Sequence, residues 1–170
     1  MNLVVTCARH MEEDAKCEIA SILDSMGDDA PTIFITGMSG ILEVSTSVEP
    51  SEFAGVVTRM VAEEPWSVRY IFRVIPIQKV VDSEISDIAD ACDGYRDVIS
   101  SDRYRITVEK RHSGVSSQDL ISAIADRIQG NVSLEEPSWI ILVEVLGKKT
   151  GVSLLHPGDV VSVEKLKRML

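Results

Sequence analysis

No stretch of this sequence approaches the roughly twenty consecutive apolar residues that a helix needs to cross a bilayer, so a helical integral membrane protein is excluded. The opening MNLVVTCARHMEED turns acidic after too short an apolar run to read as a secretory signal. A soluble, cytoplasmic protein is the expectation. Cysteine is scarce: Cys7, Cys17 and Cys92 are odd in number and form no CxxC pair, which excludes a disulfide framework or a zinc ribbon. Cys7 and His10 make a single C-x-x-H pair with no second pair to complete a tetrahedral site, so no metal is expected. Aromatic residues are only 5% of the chain, so its core must be mainly aliphatic. There is no glycine-rich phosphate loop and no dinucleotide fingerprint, hence no expected cofactor. No Ser/His/Asp arrangement stands out among three histidines and many acids, and no catalytic residue is assigned. Basic residues are also in deficit, 17 against 27 acidic, and a net charge of −10 argues against a general polyanion binder.

What is present is an aliphatic, strongly periodic chain, 45% hydrophobic. NLVVTCA (2–8) is short, apolar and β-branched, and predicts a strand. Ala15, Ile19, Ile22, Leu23 and Met26 recur at helical spacing, and Gly27 marks the stop. TIFIT (32–36) and ILEVST (41–46) predict two strands joined through GMSG, whose glycines suit a tight hairpin. Pro50 and Ser51 open a second helix with Phe53, Val56, Val57, Met60 and Val61 on one face, and VRYIFRVIPI (68–77) predicts a long strand interrupted near Pro76. Strand, helix, strand, strand, helix, strand is the ferredoxin-like βαββαβ order, a fold that implies no particular activity. The sequence thus predicts an α/β (α+β) protein with a ferredoxin-like domain over residues 1–75 and a second domain over 76–170, joined by the stretch from Val74 to Val81.

In the second part, Ser83–Ser100 predicts helix bent at Gly94. RYRITVEK (103–110) alternates as a strand, with Tyr104, Ile106 and Val108 on one face and Arg103, Arg105 and Thr107 on the other. Ser116 and Ser117 cap a helix carrying Leu120, Ile121, Ile124 and Ile128. SWIILVEVL (138–146) predicts a strand buried on both faces, GKKTG turns the chain into VSLL (152–155), and the remainder reads as a short cap. Trp139, at the start of the apolar strand, is expected to pack between the domains rather than to stack on a base.

One short stretch breaks the acidic trend. Arg103–His112 carries four basic side chains against Glu109 alone. Lys110, Arg111 and His112 stand where the strand ends, Gly114 lets the chain turn, and a capped helix begins a few residues later. A strand end, a glycine and a helix N-terminus together suit a phosphate of a nucleic-acid backbone. Arg105 extends this set on the face of Arg111, Lys148 and Lys149 add a second arm, and Arg73, with Arg69 on the same strand face, adds a third. The plainer alternative is a solvated strand whose bases pair with nearby carboxylates, with Arg73 meeting Asp82 or Glu84.

The segments FRVIPI (72–77), YRITVEKRHSGVSSQDLISAIADRIQG (104–130) and VSLEEPSWIILVEVLGKKTGVSLL (132–155), with the step at Leu134 and Pro137, resemble the THUMP domain. The resemblance spans residues 72–158 and implies a tRNA-binding module of the kind appended to thiouridine synthases, RNA methyltransferases and pseudouridine synthases, usually preceded by a ferredoxin-like domain. The chain looks most like the stand-alone proteins of that family that assist tRNA cytidine acetylation. That implies an RNA-binding accessory protein, not itself an enzyme, whose partners are tRNA and a separate modifying enzyme, a cytidine acetyltransferase. The RNA contacts expected from the basic residues read above are Arg73, Arg105, Lys110, Arg111, His112, Lys148 and Lys149, and the resemblance implies that they meet the acceptor region of tRNA. Two other readings stay open: a ferredoxin-like regulatory module that binds a small ligand or a protein, and the non-catalytic subunit of a split RNA-modifying enzyme.

Overall fold

Leu3–Cys7 (β1) is buried along its whole length and lies inside an antiparallel sheet, as its β-branched composition favours. The computed structural model describes residues 1–170, which form two compact units, residues 1–77 with 158–170 and residues 78–157. No helix is long and apolar enough to cross a membrane.

In the first unit β1 is followed by Glu12–Ser25 (α1), which buries Ala15, Ile19, Ile22 and Leu23. Thr32–Ile35 (β2) and Ile41–Ser45 (β3) pair antiparallel, with Ile33 opposite Val44. Gly40 closes their connection at φ +73°, and a Cβ there would stand 2.5 Å from the Cys7 carbonyl oxygen, so the turn docks on β1 only through glycine. Pro50–Glu63 (α2) buries Phe53, Ala54, Val57 and Val61. Ile71–Pro76 (β4) completes a sheet ordered β4–β1–β3–β2, the ferredoxin-like arrangement expected from the element order. Leu3, Val5, Leu42, Val44 and Val74 meet the inner faces of both helices in one core.

β4 starts later than its sequence suggests. The Glu18 carboxylate of α1 accepts the backbone N–H groups of Arg69, Tyr70 and Ile71 at 2.9, 3.1 and 3.0 Å, which holds that entry off the sheet. Phe72 then forms a bulge, because Cys7 pairs with Ile71 while Thr6 pairs with Arg73. The simple alternation that puts Arg69 and Arg73 on one strand face therefore fails.

The second unit opens with Lys79–Asp82 (β5), an edge strand in what reads by sequence as a connection; its pairing partner lies some seventy residues on, with Val80 opposite Gly151. Ile85–Asp93 (α3) and Arg96–Ile99 (α4) divide at Gly94, as expected. Arg103–Arg111 (β6) leads through Ser117–Ala125 (α5) to the two-residue strand Asn131–Val132 (β7), then to Trp139–Leu146 (β8) and Lys149–Leu155 (β9). The order is β5–β9–β8–β6–β7, with β6 parallel to β8. A parallel pair requires a crossover connection, and α5 supplies it. Leu120 and Ile124 of α5 are fully buried against Ile141 and Val143, each burial contributing about 1.5–3 kcal/mol.

The C-terminal piece corrects the sequence reading. Val161–Ser162 (β10) pairs with β4 of the first unit, Val161 opposite Val74. Val163–Arg168 (α6) follows, and Val163 is buried in that unit's core. The tail caps the ferredoxin-like sheet and not the second domain, because a free edge of β4 is available and the apolar Val161 and Val163 fill its end.

Candidate nucleic-acid interface

Alternation along β6 decides where its bases go. Tyr104, Ile106 and Val108 pack toward the helices, and Lys110 shares their parity, whereas Arg103, Arg105 and Arg111 fall on the opposite face. The adjacent pair Lys110 and Arg111 thus does not act as one cluster. Lys110 Nζ donates to the Val115 carbonyl at 2.7 Å, so this lysine braces the loop before α5. Arg105 shares the face of Arg111 but stands six residues away, about 20 Å at the strand rise. There its guanidinium donates to the Leu134 carbonyl at 3.0 Å, with Nε buried and without a partner.

Other cations of the unit are also engaged. Arg103 pairs with Glu136 at 3.2 Å, Arg96 with Asp93 at 3.5 Å, and Arg127 with Asp90. Lys79 Nζ donates to the Ala91 carbonyl at 2.9 Å and sits 4.4 Å above the Tyr95 ring. Lys149 holds an interaction of its own and lines a shallow hollow with Lys79, Asp82, Asp87 and Asp90, apart from its neighbour Lys148. Arg73, in the first unit, is half-buried on β4 between Thr6 and Ser162 and is likewise engaged.

Arg111, His112 and Lys148 remain, all exposed and all at the C-terminal end of β6. His112 and Lys148 line a hollow of about 590 Å³ together with Gly114, Ser113, Asp82 and Glu84. Three chain segments are pinned around it. Gly147 N–H donates to the Arg111 carbonyl and Ser83 N–H to the Lys148 carbonyl, each at 2.9 Å. The hydroxyls of Ser83 and Thr150 are 2.8 Å apart. His112 takes a left-handed φ of +54°, a conformation that costs a non-glycine residue roughly 1–2 kcal/mol. The backbone N–H of Val115 donates to the Ser113 hydroxyl at 3.2 Å. Ser116 is the N-cap expected for α5, accepting from the Asp119 N–H at 3.2 Å. Asp119 in that first turn offsets part of the positive helix end, so the site is mixed in charge and not a bare anion cradle. Asp82, Ser83 and Glu84 are the lining residues that sequence reasoning did not assign to this site. No local motif marks them; they arrive through the pairing of β5 with β9.

Residues 83–155 match the THUMP domain family. This segment is a THUMP domain. The match lies inside the range over which the sequence resembles that family, and the THUMP domain is an RNA-binding module of tRNA-modifying enzymes. The fold as a whole is similar to PH1313 from Pyrococcus horikoshii Ot3, with a TM-score of 0.68 at 16% identity, covering 91% of this chain and 54% of that one. It is also similar to TrmN from Thermus thermophilus, with a TM-score of 0.59 at 10% identity over 91% of this chain and 45% of that one. A possible methylase from Clostridium difficile 630 gives 0.52 at 13% identity over 90% and 40%. The chain therefore spans about half the length of the solved structures it resembles or less. No curated protein sequence matches it.

Elsewhere in the THUMP domain, Trp139 is half-buried against the domain's own core rather than standing free as a stacking platform. Its ring lies 4.2 Å from that of His156, and Nε1 donates to Asp102 at 3.2 Å. No group of three or more His, Cys, Asp or Glu side chains is placed to hold a metal ion.

Proposed function

We propose that this chain is a tRNA-binding adaptor that presents tRNA to a separate modifying enzyme. The observation that carries the reading is the gathering of Arg111, His112 and Lys148 at one end of a THUMP domain whose other cations are engaged within the protein. Unpaired bases at one corner of an acidic protein give salt-sensitive binding confined to that corner. The sequence resemblance of the chain to the proteins that assist tRNA cytidine acetylation points to that reaction as the one served, with an acetyltransferase as the partner. Arg105, Lys110, Lys149 and Arg73 are engaged with the protein itself, so their part in RNA binding is to shape and support the surface. The chemistry is the partner's.

Titrating labelled tRNA with the full chain tests the reading. Binding weakens with salt and with Arg111→Ala/Lys148→Ala; absent binding by a folded protein overturns it. Co-purification with an acetyltransferase, dependent on the chain and strengthened by tRNA, supports the adaptor role. Capture of a different RNA-modifying enzyme would keep the adaptor and change the reaction.

A further inference from the structure

The hollow beside Lys148 has the wrong charge for a phosphate. Asp82 and Glu84 line it against one ammonium and one imidazole, and none of these four side chains is buried. A phosphate seated there would meet two carboxylates, a like-charge contact that works against it. A carboxylate accepts hydrogen bonds and donates none, so the acidic wall suits a ligand rich in hydroxyl or amine donors. The cationic wall suits that ligand's own backbone charge. A ribonucleotide within a chain has both: a 2′-hydroxyl that donates and a flanking phosphate that is anionic. Deoxyribonucleotides lack the first, and the 2′-hydroxyl is the group by which proteins tell RNA from DNA.

The walls are also preformed. Ser83 N–H and Gly147 N–H tie three segments together by backbone bonds, and Lys110 braces the loop from below through the Val115 carbonyl. Gly114 leaves the rim open, with no atom within 4 Å of where its Cβ would stand.

We propose that this hollow is a ribose-reading subsite, in which one carboxylate of the Asp82–Glu84 wall accepts from the 2′-hydroxyl of a nucleotide whose phosphate lies toward Lys148 and Arg111. The subsite rests on the RNA-binding function proposed above, and it makes the acidic residues of the corner part of recognition.

The experiment compares the full chain with Asp82→Ala/Glu84→Ala. Both positions are exposed and neither side chain caps α3, so the variant keeps the fold. The probes are an unmodified tRNA transcript and a DNA strand of the same sequence, measured by fluorescence anisotropy. A charge-assisted hydrogen bond corresponds to about a tenfold change in affinity or more. The natural protein prefers RNA, and the variant loses about tenfold of that preference, with DNA binding unchanged or tighter because two negative charges are gone. A preference that is the same in both proteins overturns the subsite and leaves RNA binding standing. Equal affinity of the natural protein for the two probes does the same. Binding of neither probe overturns both.

Discussion

Removing Arg111 and Lys148 together changes a slope that can be stated in advance. Each phosphate contact contributes roughly 0.7 to the salt exponent on single strands and 0.9 on duplex. These two side chains carry no ion pair, so both are available for such contacts, and the double alanine variant should lose about 1.4–1.8 from the slope of log K against log salt. Between about 50 and 200 mM salt, that difference amounts to roughly seven- to twelvefold in how far affinity falls. Fluorescence anisotropy with labelled tRNA across that range reads it directly. The control is Arg103→Ala/Arg127→Ala, which changes the net charge by the same amount but removes cations already paired with Glu136 and Asp90. Its slope should stay within about 0.5 of the natural protein's. All four positions are surface sites, where substitution shifts stability by about 0.5 kcal/mol or a little more, so unfolding does not confuse the comparison. If the two double variants shift the slope equally, binding responds to total charge and the corner has no special part. If neither shifts it, phosphate is not contacted there.

Three further outcomes test the framework beneath the site. Gly40→Ala forces a side chain into the left-handed region and against the Cys7 carbonyl, and it strains the bonds that Gly40 makes with Cys7 N–H and the Glu12 carboxylate; a loss of about 2–4 kcal/mol in urea unfolding is expected, and a loss under about 1 would contradict the clash. The Thr46 hydroxyl and the Ser47 N–H donate to Asp28 and hold its carboxyl below the usual aspartate range. Its contribution is therefore complete above the ordinary aspartate pKa and lost as pH falls through the depressed one, so Asp28→Asn should flatten the acid limb of the stability profile below about pH 4. Burial pushes Cys7 up to about 11 and Cys92 up to about 12, while Cys17 is exposed; a thiol reagent near neutral pH should label Cys17 alone in the native protein and all three cysteines after denaturation.

Local periodicity made most of the fold legible. The α1 and α2 faces, the β2–β3 hairpin, the bend at Gly94, the Ser116 cap and the apolar β8 all follow from spacing and punctuation within a few residues. β5 was not legible, because its strand character comes from a partner some seventy residues away. Neither was the late start of β4, since the pattern 68–77 cannot reveal that Glu18 of α1 holds its entry. The candidate site was half legible. Arg111, His112 and Lys148 stand out as bases in an acidic chain, but parity alone separates Lys110 from Arg111, and which cations are engaged is a matter of tertiary contacts. Asp82 and Glu84 carried no signal, for they join the site only through sheet pairing.

The return of Val161–Ser162 to β4 sets an order of events during synthesis. The chain makes β1 through β4 first, yet the edge of that sheet is closed only after the whole of the THUMP domain has been made. The later domain has every strand it needs by Leu155 and can finish first. Until Val161 and Ser162 have emerged from the ribosome, β4 presents an open edge to whatever strand is near. A nascent chain stalled before Val161 is thus expected to hold a folded THUMP domain while the sheet of the first unit is still unfinished.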